Sequence, residues 1–187
     1  CIRDRYGTVP VEKPDISFLQ KYKMSKGNYI VTIARLEPEN NIEMICDGYI
    51  NSKIKMPYYI VGNHLTDYGD FLKDKYRGYG IKFLGGIYDK NCLDSIRYYS
   101  YCYIHGHSVG GTNPALLEAM AAKALIVAHK NRFNRSVIND DAFYFNSAYE
   151  VTKILDKSNL LLHKNKFINN NSKKINQLYS WRIIVDK

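Results

Sequence analysis

One stretch of the sequence, HGHSVGGTNPALLEAM at residues 105–120, combines glycines with several hydrogen-bonding side chains where a strand meets a helix. Gly110 and Gly111 follow the strand, and Asn113 before Pro114 is typical of a helix N-cap and first helical position. Free backbone N–H groups and the positive end of the helix dipole favour a phosphate there. The stretch therefore predicts an anion site, although a helix cap after a flexible turn would explain the same residues.

Four other side chains of this stretch are candidates for ligand contacts. Thr112 and Ser108 offer hydroxyl groups, and His107 could donate a hydrogen bond to a phosphate or a sugar. His105 lies on the strand, where a structural role explains it as well. A zinc site would need further ligands at definite geometry, and none is evident, so we predict no metal site.

Two charged residues are the candidates for catalytic roles, Glu118 and Arg35. Glu118 lies early in the helix, where its carboxylate could accept both hydroxyls of a ribose; a solvent-facing helix glutamate is the simpler alternative. Arg35 directly follows the first predicted strand, and its guanidinium fork matches phosphate oxygens. An ordinary surface arginine is the alternative there.

These candidates are positioned by a regular alternation of short apolar runs and amphipathic segments. The predicted strands are 29–34, 58–62, 81–85, 101–106, 124–129 and 142–145; the predicted helices are 41–50, 67–76, 91–100, 114–123 and 148–157, before a polar helical tail. This order indicates parallel strands joined by right-handed crossovers, with helices on both faces. The predicted fold is an α/β, Rossmann-like, doubly wound parallel sheet of about six strands.

In such a sheet, ligands bind beyond the carboxyl ends of the strands. The loops expected there are 34–41, 62–66, 85–90, 106–113 and 129–135. The candidate residues fall in this set, which favours one common site.

Composition sets outer limits on function. The chain has 187 residues, 45% of them apolar, and its longest apolar runs are far shorter than the roughly 20 residues of a membrane span. It begins at Cys1 rather than Met and shows no signal peptide, so we expect a fragment or a processed form. The four cysteines lack a C-x-x-C spacing, which favours reduced thiols.

The net charge of +9 is compatible with nucleic acid, an anionic membrane face or a phosphate-bearing small ligand. The basic residues are dispersed and do not interleave with aromatics as in nucleic-acid modules. We therefore expect no nucleic-acid partner. A solvated basic surface is the simplest interpretation, and peripheral contact with an anionic membrane is the second.

Four motifs together, IARLEPENN, YYIVGN, IKFLGGIYD and HSVGGTNPALLEAMAAKALIVAHKNRFN, are similar in order and spacing to a known family. They resemble the C-terminal, nucleotide-sugar-binding half of GT-B glycosyltransferases of the family 4 type. ARLEPENN with GHSVGGTNPALLEAM resembles, more narrowly, the bacterial rhamnosyltransferase-like enzymes of surface polysaccharide synthesis. The similarity covers about residues 28–150.

The resemblance implies a role for each matching position. Arg35 would bind the donor diphosphate, and Glu118 would be the second glutamate of the family's E-x7-E motif, which holds the ribose. Backbone and side-chain groups of the segment after the fourth strand would meet the diphosphate and sugar, and the loop after the third strand would meet the base. The substrate-binding residues implied in this way are Gly86, Ile87, Asn40, His107, Gly110, Gly111, Thr112 and Asn113.

Two positions differ from the general family pattern. Gly110 stands where the first glutamate of E-x7-E is expected, and Asn40 stands where the family has a lysine. The narrower subgroup shares both features, which indicates a variant site. The sequence leaves open whether Lys130, Arg132 or Arg135 supplies the replacement cation.

The resemblance implies three segments: an entry linker at 1–27, a Rossmann-like donor-binding domain at 28–158 and a helical tail at 159–187. The expected protein is a retaining glycosyltransferase that passes a sugar, with rhamnose as one candidate, from a dTDP- or UDP-linked donor to a polysaccharide or lipid-linked acceptor. It would need no cofactor, would require an N-terminal GT-B domain for turnover, and would act in the cytoplasm, free or at the inner membrane face. The alternative is a non-catalytic nucleotide-binding or scaffold module derived from such an enzyme.

Overall fold

The computed structural model describes residues 6–111, 113–157 and 159–185. Within these ranges the strands form one all-parallel sheet in the spatial order β3-β2-β1-β4-β5-β6. The strands are β1 Ile30–Ile33, β2 Tyr58–Val61, β3 Ile81–Gly85, β4 Cys102–His105, β5 Ile126–His129 and β6 Phe143–Phe145. The predicted six-stranded, Rossmann-like fold is confirmed.

One short helix precedes the first strand, and others connect the strands or follow the last one. They are α1 Phe18–Lys21, α2 Ile42–Ile50, α3 Asp67–Lys75, α4 Lys90–Tyr98, α5 Pro114–Ala121, α6 Arg132–Ile138, α7 Ala148–Leu155, α8 Lys164–Lys174 and α9 Trp181–Val185, with 3-10 turns at Pro38–Asn40 and Leu160–His163 and a π-helical turn at Ile175–Tyr179. The predicted loop 129–135 is wrong in its second half, because α6 begins there. Asn131 caps α6 by accepting hydrogen bonds from the N–H groups of Phe133 and Asn134.

The winding direction of the chain reverses between β1 and β4. The chain proceeds outward from β1 through β2 to β3, then returns to place β4 on the other side of β1. Ile30 of β1 pairs with Cys102 of β4 in the parallel register. Loops that leave neighbouring strands at such a reversal run to opposite faces and open a crevice between them. Loops 34–41 and 106–113 therefore flank the expected binding position.

Both faces of the sheet are buried under helices, as the continuously apolar strands require. Alternate residues of β1 point to opposite sides: Val31 belongs to the core beneath α4 and α5, and Ile30 to the core beneath α2 and α7. Both side chains are completely buried. This two-sided burial fixes the register of the sheet and hence the strand ends that carry the loops.

The two segments that flank the sheet in sequence also contact each other. The N–H of Thr8 donates to the carbonyl of Tyr179 at 2.8 Å, and Val11 donates to Ala121 at the end of α5. Leu19 of α1 is buried in the core, although the sequence suggested only a linker there. The boundaries at 27 and 158 stay a prediction.

The described cysteines, Cys46, Cys92 and Cys102, are buried free thiols, and burial raises the pKa of Cys102 to about 12. Within the described ranges, no helix is both long enough and apolar enough to cross a bilayer.

The backbone of loop 34–41 touches the end of β4. A Cβ atom on Gly106 would lie 1.9 Å from the carbonyl oxygen of Asn40. We expect Gly106→Ala to push the two loops apart and to lower the free energy of unfolding by about 1–3 kcal/mol or more, as overpacking does. Denaturant unfolding of the purified variant measures the change.

Gly111→Ala is the matched control, because no atom lies within 4 Å of a Cβ built at Gly111. Its unfolding free energy should stay within about 0.5 kcal/mol of the wild-type value. Equal stability of the two variants would contradict the close backbone contact at Gly106.

Candidate functional site

Hydrogen bonds join the loops on the two sides of the winding reversal. The Asn41 side chain donates from Nδ2 to the carbonyl of Gly106 at 2.7 Å. In the opposite direction, the N–H and hydroxyl of Ser108 both donate to the carbonyl of Glu39, each at 3.0 Å. The Ser108 hydroxyl is therefore used for structure, and not as the free donor that the sequence suggested.

Two asparagines attach the loop after β5 to the same place. The Nδ2 groups of Asn131 and Asn134 each donate to the carbonyl of His107 at 3.0 Å. Asn134 is buried and also donates to the carbonyl of His129 at 2.9 Å. The backbone of residue 107 is thus held by side chains at the start of α6, more than 20 residues away in sequence.

Asn40 and His107 form the central contact of the site. Asn40 is only 6% exposed, its Nδ2 donates to the carbonyl of Arg35 at 2.8 Å, and its Oδ1 lies 2.9 Å from Nδ1 of His107. This amide therefore connects the end of β1 with the segment after β4. The structure brings together Asn40, His107 and Gly110, all of which were predicted as site residues.

The two glycines and the N-terminus of α5 form an open turn at the crevice. Gly110 has a φ of 82°, in the left-handed region that glycine adopts without strain. Asn113 is the N-cap, as predicted, and its Oδ1 accepts from the N–H of Ala115 at 2.9 Å, with Pro114 as the first helical residue. Thr112 lies outside the described residues.

Arg35 lies at the edge of the crevice, two residues after the end of β1. Its side chain is 78% exposed and its Nη1 is 3.3 Å from a carboxylate oxygen of Glu37. An exposed ion pair of this kind holds the guanidinium only weakly, so Arg35 can turn to an incoming anion.

Glu118 forms an ion pair with a buried arginine, Arg97, that the sequence did not indicate. Nη2 of Arg97, on α4, donates to Oε2 of Glu118 at 2.6 Å, and the side chains of Arg97 and Glu118 are 1% and 28% exposed. Arg97 Nη1 also lies 3.6 Å from Asp94, whose other oxygen accepts from Lys90. Glu118 is thus neither fully solvated nor fully buried.

His105 is buried at the end of β4, 4% exposed, and its Nε2 has no hydrogen-bond partner among the described residues. Burial, with smaller contributions from His107, Arg97 and His129, lowers the pKa of His105 to about 3. The ring is therefore neutral at physiological pH, as a structural histidine would be.

Gly86 and Ile87 follow β3, as predicted, but they lie two strands away from β1 at the carboxyl edge. Together with Tyr88 they line one side of a cavity of about 280 Å³, whose other side includes Phe18 and Tyr22. The structure therefore places these two residues in the lining of a cavity whose described lining residues include neither His107 nor Asn40.

The three cationic candidates after β5 differ in their surroundings. The Arg135 guanidinium lies over the Tyr144 ring and 3.7 Å from Asp140, and Arg132 lies over the Phe133 ring. Lys130 is exposed. In the described part of the chain, no three His, Cys, Asp or Glu side chains come together as a metal site would require.

Sequence reasoning missed Asn41, Asn131, Asn134 and Arg97. A signal existed for Asn131, because asparagine is a preferred N-cap residue and this one follows a predicted strand. No local signal marked Arg97, because its partner Glu118 is 21 residues away on another helix.

The buried ion pair generates a stability prediction. Arg97→Met would leave the carboxylates of Glu118 and Asp94 without a buried cation, so we expect a loss of about 3–5 kcal/mol in unfolding free energy. The control is Arg77→Met: Arg77 pairs with Asp74 on the surface, where the two side chains are 81% and 72% exposed, and we expect a change below about 1 kcal/mol. Chemical denaturation of both variants tests this, and similar losses would contradict it.

Burial of neutral His105 generates a pH prediction. In the unfolded chain the His105 ring binds a proton below its ordinary pKa of about 6.5. In the folded protein the ring stays neutral until the pH falls to about 3. The folded state therefore loses up to about 1.4 kcal/mol per pH unit as the pH falls through this window. His105→Phe should remove that part of the slope, which unfolding at several pH values measures; identical slopes would disprove the burial effect.

Comparison with known proteins identifies the family. The profile of the family described as glycosyl transferases group 1 matches residues 16–177, most of the chain. No curated protein matches the sequence.

Solved structures agree with this result at the level of the fold. Anabaena Alr3699/HepE, in complex with UDP, superposes with a TM-score of 0.81 at 17% identity, covering 96% of this chain and 54% of that protein. A glycosyltransferase from Rickettsia africae gives 0.80 at 16% identity, covering 91% of this chain and 48% of that protein. The C-terminal domain of a glycosyl transferase group 1 family protein, LpcC from Francisella tularensis, gives 0.72 at 21% identity, covering 92% and 96%.

The chain therefore spans about half the length of the first two of these proteins and nearly all of the isolated C-terminal domain. With its sheet order, its crevice at the winding reversal and the family profile taken together, the chain belongs to the glycosyl transferases group 1 family and has the Rossmann-like fold of GT-B glycosyltransferases.

Proposed function

We propose that this chain is the donor-binding half of a retaining glycosyltransferase, which transfers a sugar from a nucleotide diphosphate sugar to a polysaccharide or lipid-linked acceptor. The observation that carries the proposal is the crevice between β1 and β4. It combines an exposed arginine, the N-terminus of α5 and a partly exposed carboxylate held by a buried arginine.

The diphosphate would bind where positive potential is concentrated. Arg35 offers a mobile guanidinium, and the turn at Gly110 and Gly111 leaves room for phosphate oxygens to approach the backbone before α5. When the glycosidic bond to the diphosphate breaks, negative charge grows on the leaving oxygen. Donors that are already in place stabilise that charge without reorganisation.

Glu118 would bind the ribose. Arg97 occupies Oε2, whereas no described residue donates to Oε1. The ion pair fixes the direction of the carboxylate, and the free oxygen can accept from ribose hydroxyls. Gly86 and Ile87 would contact the base from the cavity that they line.

UDP is the first nucleotide to test. Among the structural relatives, the Anabaena protein forms a complex with UDP-glucose and a pneumococcal O-GlcNAc transferase, GtfA, forms one with UDP and GlcNAc. The narrower sequence resemblance also keeps rhamnose, with a dTDP carrier, as a candidate donor.

The acceptor-binding site and the remaining catalytic groups would come from a second, N-terminal GT-B domain. Exposed apolar side chains near both ends of the described chain, Tyr6, Leu178 and Trp181, support a docked neighbour there. The enzyme would act in the cytoplasm. The net charge of +9 supports contact with an anionic membrane face when the acceptor is lipid-linked.

The alternative is a non-catalytic nucleotide-binding or scaffold module. Glycine at position 110 and asparagine at position 40, where the general family pattern has a carboxylate and a lysine, favour this alternative. The full-length protein with a labelled donor and a crude acceptor fraction decides: sugar transfer excludes the alternative, and nucleotide binding without any transfer contradicts the enzyme proposal.

Nucleotide titration tests the site residues. We expect UDP or dTDP to bind the full-length protein, and Arg35→Ala and Glu118→Gln each to raise the dissociation constant about tenfold, since each removes a charge-assisted hydrogen bond. Calorimetry measures the constants.

Arg77→Ala serves as the matched control, because Arg77 is an exposed arginine that follows α3 and pairs on the surface with Asp74. It should bind as the wild type does. Equal binding by wild type, Arg35→Ala and Glu118→Gln would show that the two residues have other roles.

A further inference from the structure

The amide of Asn40 has only one orientation that satisfies its surroundings. One end of the amide lies 2.8 Å from the carbonyl oxygen of Arg35, and the other lies 2.9 Å from Nδ1 of His107. A carbonyl oxygen only accepts, so the NH₂ group must face Arg35. The amide oxygen therefore faces His107.

This orientation determines which ring nitrogen of His107 carries the proton. Because the Asn40 oxygen can only accept, Nδ1 of His107 must be the N–H donor. In the neutral ring, Nε2 is then left with a lone pair and acts as an acceptor. No described residue hydrogen-bonds to Nε2.

The histidine is also fixed by its backbone. Its carbonyl accepts from the side-chain amides of Asn131 and Asn134, both at 3.0 Å. Asn40 thus holds the imidazole, and Asn131 and Asn134, at the start of α6, hold the backbone of the same residue. A preorganised ring loses little entropy when it binds a ligand.

Nε2 faces the open space beside the glycine turn. It is the nearest atom to a Cβ built on Gly110, at 4.0 Å, and nothing lies within 4 Å of a Cβ built on Gly111. Position 110 has no side chain of its own, and among the described residues the polar atom nearest to it is Nε2 of His107.

An acceptor selects its ligand by chemistry. A lone pair on Nε2 repels phosphate oxygens, which are themselves acceptors, and attracts hydroxyl groups, which donate. In the proposed arrangement the diphosphate binds at the backbone before α5. The part of the nucleotide diphosphate sugar that lies beyond the diphosphate and offers hydroxyl groups to Nε2 is the sugar.

We infer that His107 binds a hydroxyl of the donor sugar through Nε2, and that Asn40 is the positioning residue that holds the imidazole in the required tautomer. The inference rests on the proposed function. The general family pattern has a carboxylate at position 110, and Gly110 offers no such acceptor. The inference assigns that acceptor role to His107. One rigid acceptor discriminates between sugars that differ in the direction of a single hydroxyl, because the wrong epimer leaves the acceptor unpaired.

The test separates nucleotide binding from sugar binding in the full-length protein. Calorimetry gives dissociation constants for UDP, UDP-glucose, UDP-galactose, UDP-GlcNAc, dTDP and dTDP-rhamnose. The ratio of the constant for the nucleotide to that for its sugar derivative is the sugar increment. With His107→Phe we expect the increment for the preferred donor to fall about 3- to 10-fold, the worth of one hydrogen bond, with the nucleotide constant changed less than about twofold.

His163→Phe is the control, because His163 is an exposed histidine on a different segment, and it should change neither constant. An unchanged increment in His107→Phe overturns the inference and leaves the proposed function standing. A loss of nucleotide affinity as large as that of the nucleotide sugar also overturns it, because His107 then binds the diphosphate. Failure of the wild type to bind any of these ligands overturns the proposed function and the inference with it.

The role of Asn40 has a spectroscopic test. Nitrogen-15 NMR of the wild-type imidazole should show a proton on Nδ1 and none on Nε2, and the reverse tautomer in the wild type overturns the positioning role. In Asn40→Ala we expect the Nδ1–H tautomer to lose its preference and the sugar increment to fall, with the UDP or dTDP constant kept. A tautomer unchanged by Asn40→Ala also overturns it.

Discussion

The carbonyl oxygen of Asn40 lies so close to Gly106 that no side chain fits at position 106. This backbone contact closes the two loops at the winding reversal against each other, and most of the polar contacts of the site follow from it. With the loops at this distance, the side chain of Asn41 reaches the carbonyl of Gly106 and that of Asn40 reaches His107. A parallel sheet brings the ends of β1 and β4 side by side, but only the missing Cβ lets the chains meet.

A group of buried charged and polar side chains near Glu118 lacks some of its hydrogen-bond partners within the described chain. Among the described residues, Nε and Nη1 of buried Arg97, Oδ1 of Asp94 and Nε2 of His105 have no hydrogen-bond partner, and the Asp94 oxygen has only the longer 3.6 Å ion pair with Nη1 of Arg97. Buried polar atoms without partners are uncommon and concentrate at functional sites, where stability is exchanged for electrostatic effect. Here the buried cation holds one oxygen of the Glu118 carboxylate in place.

The site thus combines two kinds of rigidity. Asparagine amides fix backbone and imidazole positions through neutral hydrogen bonds, whereas Arg97 fixes a carboxylate through charge. The groups at the entrance, Arg35 and the glycine turn, remain exposed and adaptable. Such a division would suit the proposed ligand, which joins a flexible diphosphate to a sugar that must be oriented accurately.

The sequence by itself determined the fold class, the succession of strands and helices along the chain, and the helix cap at Asn113. These depend on local patterns: continuous apolar runs, alternation with amphipathic segments, and an asparagine before a proline. It missed α6, because a seven-residue helix with Val137 and Ile138 as its main buried apolar residues shows too little periodicity to be recognised. It also placed His107 and Asn40 in the site without indicating that they touch.

Only the tertiary structure decided how those residues act. The contact of Asn40 with His107 spans 67 positions in sequence, and that of Arg97 with Glu118 joins two helices. Such pairs form because the sheet brings distant strand ends together, and no local pattern encodes which side chains then meet. The residue types gave the chemistry that was available, and the winding of the sheet chose the partners and, through them, the tautomer of one histidine and the direction of one carboxylate.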